Sequence, residues 1–337
     1  MIGYYVHHVG HGHLRNAVCI ASALDCEVTG LSSLPRPDTW VGPWIELARD
    51  DGGQPVRDPD AHGRLHWAPL RDVGLAARMA RIAAWIAAAR PAALVVDVSV
   101  EVAVLARAMG IPILVMALPG DRSDPAHQWG YSLADAVLAA WPAGLGNMDR
   151  DLCPWGDRTH HVGGLSRFAG RSATSSTPGR RRRVLVLQGS GGTSIGPADL
   201  AAAAVAAPDW DWHRLGPGAW ADDPWPELCA ADVVVTHAGL GALADVAAAC
   251  RPAVVVPEDR PHDEQRATAR ALGDAGLATT SGHWPDGDEW PDLLAQALGV
   301  GGSGWGCWRT DGAAERAARV IEAVADDQRC RRPASCA

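Results

Sequence analysis

The sequence alternates short apolar strands with amphipathic helices, and it does so in both halves of the chain. In the first half, apolar segments at 2–9, 93–98 and 113–117 alternate with helical periodicity near 14–24, 75–89 and 100–109. Parallel strands need helical crossovers, so this alternation predicts a doubly wound parallel sheet. A further short strand is expected at 66–68. The Pro-, Gly- and Asp-rich stretch 35–64 is expected to form a long loop, and loops of that length are often functional.

The alternation stops at a polar segment and then starts again. Residues 166–182 are rich in Ser, Thr, Gly and Arg, which is typical of an interdomain linker. We therefore predict two α/β domains, at 1–165 and 183–326, followed by a disordered tail at 327–337. A chain of 337 residues is long enough for each domain to bury its own core.

Charge and composition restrict the partners. The net charge of −9 argues against nucleic acid, which is bound through clustered Lys and Arg. No apolar stretch reaches the length of a spanning helix, and the N-terminal residues do not resemble a signal peptide, so a cytoplasmic location is expected. The apolar stripe of helix 75–89 leaves weak peripheral membrane contact open, although packing on a sheet explains it equally. The eight cysteines include no CxxC pair, so no structural metal is expected.

The most informative segment runs from 233 to 265: strand, histidine, glycine-containing turn, helix, strand, and a Glu-Gln pair that opens another helix. His237 ends the strand, and the next helix N-terminus is a favourable place for an anion such as pyrophosphate. Asp245, on that helix, can reach ribose hydroxyls. Glu264 and Gln265 offer acceptors and an amide for sugar hydroxyls. The predicted donor contacts at the turn are Ala238, Gly239, Leu240 and Gly241.

A second glycine-rich turn follows the first strand of the second half. It consists of Gly189, Ser190, Gly191, Gly192 and Thr193, and its backbone amides can approach a phosphate closely. A nicotinamide-binding alternative requires a third glycine where Ser194 stands. It also requires an acid at the end of the next strand, whereas Asp211 begins that strand. The sequence thus disfavours a dehydrogenase.

Together these motifs resemble the donor-binding signature of nucleotide-sugar-dependent glycosyltransferases with the GT-B fold. This family includes natural-product UDP-glycosyltransferases and bacterial lipid I N-acetylglucosaminyltransferases. The resemblance implies two Rossmann-like domains facing across a cleft. It also implies that His237 contacts pyrophosphate, Asp245 holds the ribose, and Glu264 and Gln265 hold the sugar. Gly241 and Ala242 stand where plant members have Asn and Ser, and Asp245 is shorter than the usual Glu.

The first half carries the same resemblance. Its Gly-His turn at 10–13 is similar to that of the family, which implies that His13 is the acceptor base and that Gly12 lies beside the donor. Asp97 corresponds to the acid that orients this base in natural-product enzymes. His7, His8 and His11 crowd the same turn and remain alternatives to His13.

The implied activity is an inverting, metal-independent transfer from a nucleotide diphosphate sugar to a small-molecule acceptor, with no cofactor. A UDP-sugar such as UDP-N-acetylglucosamine or UDP-glucose is the expected donor. Three Asp-x-Asp pairs, at 58/60, 209/211 and 286/288, are the alternative metal ligands. The alternative activities are a nucleotide-sugar hydrolase or epimerase of the same fold, or a silent binding module. Loops 35–64 and 118–132 are expected to shape the acceptor pocket.

Overall fold

The first domain is built on one parallel sheet. The structure, a computed structural model, describes residues 1–51, 56–173, 180–189 and 191–330. The first sheet has seven strands in the order β3-β2-β1-β4-β5-β6-β7. The strands are β1 Ile2–Tyr5, β2 Val28–Ser32, β3 Trp44–Glu46, β4 Leu94–Asp97, β5 Ile113–Met116, β6 Ala136–Ala139 and β7 Thr159–His161. Its central strands are fully buried, as expected for a sheet covered on both faces.

Helices cover the first sheet, and short polar side chains fix where three of them begin. These helices are α1 His11–Ser22, α2 Val73–Ala89, α3 Val100–Ala108 and α4 Pro125–Leu133. Asp72, Ser99 and Asp124 cap α2, α3 and α4 by accepting hydrogen bonds from backbone N–H groups of the first turn. In contrast, α1 begins at Gly10 (φ 89°) without a side-chain cap. Its first N–H groups are therefore available to other partners.

The second domain repeats this design on a five-stranded parallel sheet in the order β12-β11-β10-β8-β9. The strands are β8 Arg182–Leu187, β9 Trp210–Leu215, β10 Val233–Thr236, β11 Ala253–Val255 and β12 Thr279–Thr280. The helices are α5 Pro197–Ala206, α6 Trp225–Ala230, α7 Leu240–Ala248, α8 Glu264–Asp274, α9 Trp290–Val300 and α10 Ala313–Cys330. Short 3-10 turns occupy Gly146–Met148, Arg150–Arg158, Pro261–Asp263, Gly287–Glu289 and Ser303–Trp308.

The strand orders define where ligands bind in such sheets. In the first sheet successive strands are added on one side of β1 and then, from β4 onward, on its other side. In the second sheet the same change of side occurs between β8 and β10. Open α/β sheets bind ligands outside the carboxyl ends of the strands at these switch points. The loops that follow β1, β4, β8 and β10 are therefore the places to look for a site.

Two local predictions are corrected by the structure. The expected loop 35–64 contains a short edge strand, β3, which pairs with β2. The strand expected at 66–68 is absent. Its backbone N–H groups at His66 and Trp67 donate to the Glu101 carboxylate at 2.7 and 2.9 Å. The Glu101 side chain thus accepts the hydrogen bonds that these backbone N–H groups would donate to a neighbouring strand in a sheet.

The last helix returns to the first domain. Ala313, Ala317 and Ile321 of α10 are buried in the same apolar cluster as Ile20 of α1 and Leu138 of β6. The end of the stretch 183–326, which was predicted to belong wholly to the second domain, therefore packs against the first domain. Helix α10 also runs four residues into the predicted tail. Residues 331–337, and 174–179 of the predicted linker, lie outside the described residues.

None of the helices described is both long enough and apolar enough to pass through a membrane.

Candidate active site

The carboxyl ends of the two sheets face each other across a cleft of about 590 Å³, a volume typical of small-molecule sites. Eleven of the predicted site residues line it: Gly12, His13, Gly189, Gly191, His237, Gly239, Leu240, Gly241, Asp245, Glu264 and Gln265. The structure thus brings together residues that lie more than 200 positions apart in the sequence.

His13 and Asp97 form a hydrogen-bonded pair at the first-domain side of the cleft. Nδ1 of His13 lies 2.9 Å from Oδ2 of Asp97, which is almost completely buried behind it. Burial lowers the pKa of His13, but the charge and hydrogen bond of Asp97 outweigh this and raise the pKa above its ordinary value. Because Nδ1–H donates to the carboxylate, Nε2 carries the lone pair. Nε2 can therefore accept a proton, which makes His13 a candidate general base.

The backbone after β4 is strained at the residue that follows Asp97. Val98 has φ 72°, a conformation that a β-branched residue rarely adopts, and Ser99 N–H donates to Asp97 O at 3.0 Å. This is a γ-turn of the rarer hand. It ends the strand within one residue and lets Ser99 cap α3. Val98 itself lines the cleft, so the strain lies at the site, where such outliers concentrate.

Two of the alternative histidines differ from His13 in their surroundings. His7 packs edge-on against His13, and burial together with its histidine neighbours lowers its pKa to about 4. His8 lies away from the cleft, with Nε2 4.0 Å from Asp50, and burial lowers its pKa as well. The side chain of His11 lies outside the described part. Of the three histidines described here, only His13 has a raised pKa.

His237 lines the cleft from the second domain, directly after β10, and is held between two glycines. A Cβ at Gly189 would lie 2.6 Å from Nε2 of His237, and a Cβ at Gly239 would lie 2.5 Å from Cε1. Gly239 N–H donates to Nδ1 at 3.0 Å, so Nε2 carries the proton of the neutral ring. Burial and the charge of Arg260 lower the pKa of His237 to about 4. His237 is therefore a neutral N–H donor and a poor base.

The N-terminus of α7 lies directly beside this ring. The helix begins after Gly239 without a side-chain cap, and the residues of its first turn line the cleft. A Cβ at Gly241 would meet nothing within 4 Å. The first turn thus offers backbone N–H groups, the positive end of the helix dipole and open space, which together suit an anion. Ala238, by contrast, is buried behind the turn.

Asp245 lies one and a half turns further along α7 and also reaches the cleft. Its carboxylate accepts a 2.7 Å hydrogen bond from Ser166 Oγ and lies 3.9 Å from Nε of Arg167. Burial raises its pKa, although Ser166 and the neighbouring Arg167 and Arg15 oppose the shift. Ser166, in the predicted linker, therefore helps to position the acid assigned to the ribose.

Hydrogen bonds to Glu258 hold the glycine-rich turn after β8. The Glu258 carboxylate accepts hydrogen bonds from Thr193 Oγ1 at 2.7 Å and Ser194 Oγ at 2.9 Å. Arg260 donates to Gly192 O at 2.8 Å. Thr193 and Gly192 thus shape the turn without lining the cleft, unlike Gly189 and Gly191. Ser190 lies outside the described residues.

Both residues of the Glu-Gln pair at the start of α8 line the cleft, but only Gln265 also supports the neighbouring backbone. Glu264 pairs with Arg122 Nη2 at 3.2 Å, and burial raises its pKa against the effect of Arg122. Gln265 is buried, and its Oε1 accepts from the backbone N–H groups of Ala238 at 3.2 Å and Glu258 at 2.9 Å. That oxygen ties the turn after β10 to the segment after β11. It is therefore already engaged within the protein.

Several cleft residues were not anticipated from the sequence. Arg122 is almost completely buried and links the first domain to Glu264 of the second. Arg15 and Arg260 line the cleft beside the predicted His13 and Glu264, so their position next to those motifs was an available signal. Trp220 is 54% exposed and presents a flat ring beside Leu215 and Pro224. No motif pointed to it.

One group of side chains in the described part of the chain could hold a metal ion: His66, Asp124 and His127. It lies on the first-domain wall, where His66 and His127 line the cleft with His262 from the second domain. Burial, His66 and Arg122 lower the pKa of His127 to about 3 against the effect of Asp124. The Asp-x-Asp pairs are not part of this group. Asp211, for instance, pairs with His213, and Asp286 precedes a 3-10 turn, where its backbone N–H donates to Glu289.

Comparisons with known proteins agree with this geometry. Residues 222–281 match the glycosyltransferase family 28 C-terminal domain. A curated relative is the UDP-N-acetylglucosamine--N-acetylmuramyl-(pentapeptide) pyrophosphoryl-undecaprenol N-acetylglucosamine transferase of Rubrobacter xylanophilus, 32% identical over 202 residues. That match covers 51% of this chain and 56% of the relative, so it spans about half the length of each.

Two solved structures extend the likeness over nearly the whole chain. Acinetobacter baumannii MurG superposes with a TM-score of 0.62 at 15% identity, covering 97% of this chain and 99% of that one. Phytolacca americana UGT2, complexed with UDP-2-fluoro-glucose and pterostilbene, gives a TM-score of 0.65 at 15% identity, covering 97% and 98%. The chain has the GT-B fold of two parallel-sheet domains, and the predicted resemblance to GT-B glycosyltransferases is confirmed. The matches support a glycosyltransferase.

Proposed function

We propose that this protein is an inverting glycosyltransferase that moves a sugar from a nucleotide diphosphate to a small-molecule acceptor without a catalytic metal. One observation carries the proposal. A histidine–carboxylate pair with a raised histidine pKa faces, across a single cleft, a neutral histidine beside an uncapped helix N-terminus. The first arrangement suits proton removal from an acceptor, and the second suits binding of a departing diphosphate.

The diphosphate is assigned to the N-terminus of α7. Nε2–H of His237 and the free N–H groups of the first turn can donate to phosphate oxygens, and the helix dipole stabilises the negative charge. These donors increase in strength as charge develops on the leaving diphosphate. They supply what a divalent cation supplies in other transferases, so the Asp-x-Asp pairs are given no role.

The rest of the donor is assigned to the surrounding wall. Asp245 can accept hydrogen bonds from ribose hydroxyls, and the exposed ring of Trp220 offers a flat surface for the nucleobase. Glu264 also lines the cleft and can accept from sugar hydroxyls, with Arg122 holding its carboxylate in place. Gln265 contributes through the turn it supports and through its amide nitrogen. A UDP-sugar is the proposed donor.

The transfer step follows from the geometry of His13. Its Nε2 takes the proton of the acceptor hydroxyl as the hydroxyl oxygen attacks the anomeric carbon. The bond from that carbon to the diphosphate oxygen breaks, and the nucleotide diphosphate leaves toward His237. The imidazolium that forms is stabilised by Asp97 at 2.9 Å. Attack and departure on opposite faces of the sugar invert the anomeric configuration.

The test is a transfer assay with the full-length protein. Candidate UDP-, TDP- and GDP-sugars are first ranked by calorimetric binding, and those that bind are incubated with acceptors of varied structure. We expect a glycosylated product by mass spectrometry, with an anomeric configuration by NMR opposite to that of the donor. Release of free sugar at the same rate with and without acceptor would instead identify a hydrolase. Retention of configuration would exclude the direct displacement.

A further inference from the structure

Three side chains on the first-domain wall converge on one point. His66 lies in the loop before α2, Asp124 caps α4, and His127 lies in the first turn of α4. Nε2 of His66 is 3.1 Å from Nδ1 of His127 and 3.3 Å from Oδ1 of Asp124. Nδ1 of His127 is 2.5 Å from Oδ2 of Asp124. We refer to these three residues as the histidine cluster.

Protons alone leave a repulsive contact in this arrangement. Arg122 Nη1 lies 3.2 Å from Nε2 of His127 and can only donate, so the proton of the neutral His127 ring is on Nδ1 and points to Asp124. If Nε2 of His66 also carries a proton, the two N–H groups can donate to the two oxygens of Asp124, but two nitrogens that both carry protons then lie only 3.1 Å apart. If it does not, its lone pair faces a carboxylate oxygen at 3.3 Å. Either tautomer of His66 leaves one repulsive contact.

The spacing suits a small cation. Zn²⁺ binds imidazole nitrogen and carboxylate oxygen at about 2.0–2.2 Å, which places neighbouring ligands of a tetrahedral site about 3.3 Å apart. The two distances from His66 Nε2, 3.1 and 3.3 Å, are close to this value. The 2.5 Å between His127 Nδ1 and Asp124 Oδ2 is shorter, so these two atoms must separate when a cation binds. A cation at the centre would replace the protons and turn the repulsive contact into a third bond. Two imidazoles and a carboxylate are a ligand set typical of zinc.

A fourth ligand is available from the opposite domain. Nδ1 of His262 is 3.9 Å from Oδ2 of Asp124, and its ring packs edge-on against His127. His262 is held there in a left-handed conformation (φ 62°), with its carbonyl oxygen accepting a 2.6 Å hydrogen bond from Asp121 N–H. The close approach requires Gly120, where a Cβ would lie 2.3 Å from that oxygen. A small movement of the His262 ring would bring it within reach of the cation.

We propose that the histidine cluster binds one divalent transition metal ion of the zinc type, with His262 as fourth ligand, so that the ion joins the two domains at the acceptor side of the cleft. This site is separate from the diphosphate site at α7 and has no role in the proposed transfer step. Binding at Nδ1 of His127 moves the ring proton to Nε2, so the contact with Arg122 must open. Arg122 therefore competes with the metal.

The test is metal titration of the full-length, tag-free protein after removal of metals with EDTA. We expect calorimetry to show one equivalent of Zn²⁺, and Co²⁺ to give visible absorption bands of a four-coordinate ion. His66→Ala and Asp124→Asn should each lower the affinity by more than the roughly 10- to 100-fold that outer ligand partners contribute. Asn still caps α4, so a loss in Asp124→Asn is not a loss of the helix.

The matched control is His213→Ala, which removes a histidine from another His–Asp pair, 2.9 Å apart on β9. It should leave Zn²⁺ binding unchanged. His262→Ala should weaken binding but keep the stoichiometry, whereas Arg122→Gln should strengthen it, because Gln removes a positive charge and offers an oxygen to Nε2–H. The proposal is overturned if the wild-type protein binds no Zn²⁺, or if His66→Ala and Asp124→Asn bind it as tightly as the wild type.

Discussion

His13 and His237 line the same cleft from two similar domains, each near a helix N-terminus, yet their environments are opposite. His13 lies in the first turn of α1, the helix after β1, and His237 lies directly after β10 and before α7; both helices begin without a side-chain cap. His13 has a carboxylate 2.9 Å from Nδ1, which raises its pKa, whereas His237 receives a backbone N–H at the same atom and has a pKa of about 4. The group at Nδ1 thus determines whether the other nitrogen accepts a proton or donates one.

The largest effect is expected from removing the base. His13→Ala should lower turnover by roughly 10²- to 10⁴-fold, the usual contribution of general-base catalysis, while donor affinity stays nearly unchanged. Steady-state kinetics and calorimetric titration with the nucleotide diphosphate measure the two effects separately. His7→Ala is the matched control, since it removes the adjacent ring with the lowered pKa. A larger loss in His7→Ala than in His13→Ala would transfer the role of base to His7.

The second effect tests the other histidine. His237→Ala should weaken binding of the nucleotide diphosphate by roughly 10- to 150-fold, because a hydrogen bond to a charged group contributes about 1.5–3 kcal/mol. Calorimetry with UDP measures this directly. Since His237 is neutral, its affinity contribution should not change between pH 6 and 8. An equal loss of donor affinity in His13→Ala would contradict the division between the domains.

A smaller effect is expected from the orienting acid. Asp97→Asn keeps a hydrogen-bond partner for His13 but removes the charge, so turnover should fall by roughly 10- to 100-fold, less than in His13→Ala. The pKa of His13 is raised by Asp97, so activity in the wild type is lost as the pH falls through that pKa. In Asp97→Asn this loss should move to lower pH. A pH–rate profile of kcat/KM gives the shift, and an unchanged acid limb would exclude His13 as the titrating base.

The smallest effect is expected from chelation. Turnover at saturating donor should survive EDTA, because the proposed diphosphate site uses N–H groups and no cation. If EDTA abolished turnover and Mg²⁺ or Mn²⁺ restored it, this proposal would be contradicted. The Asp-x-Asp pairs would then again be candidate metal ligands. A change that responds to Zn²⁺ alone would point instead to the histidine cluster.

Sequence patterns were sufficient to place residues at the carboxyl ends of the strands where the segments are close in the chain. The strand–His–Gly–helix order at 233–248 located His237, and the end of a strand located Asp97, because parallel strands bring their carboxyl ends to one edge. Contacts between distant segments were not accessible in this way. Arg122 meets Glu264 across 142 positions, and His66 meets His127 across 61, with no spacing rule to connect them. Gln265 shows a further limit, since its residue type suits a sugar but its oxygen is bound by backbone amides.

The return of α10 to the first domain affects how the cleft can move. The chain leaves the first domain near 163–173 and returns to it at 309–312, and these two passages are in contact. Gly164 N–H donates to Trp308 O at 2.8 Å, and a Cβ at Gly163 would lie 2.6 Å from Arg309 O. Two interdomain connections in contact restrict twisting and sliding of one domain relative to the other more than a single connection does. We therefore expect the two domains to rotate about a single hinge axis at this contact. Opening should widen the cleft most at the side farthest from the hinge.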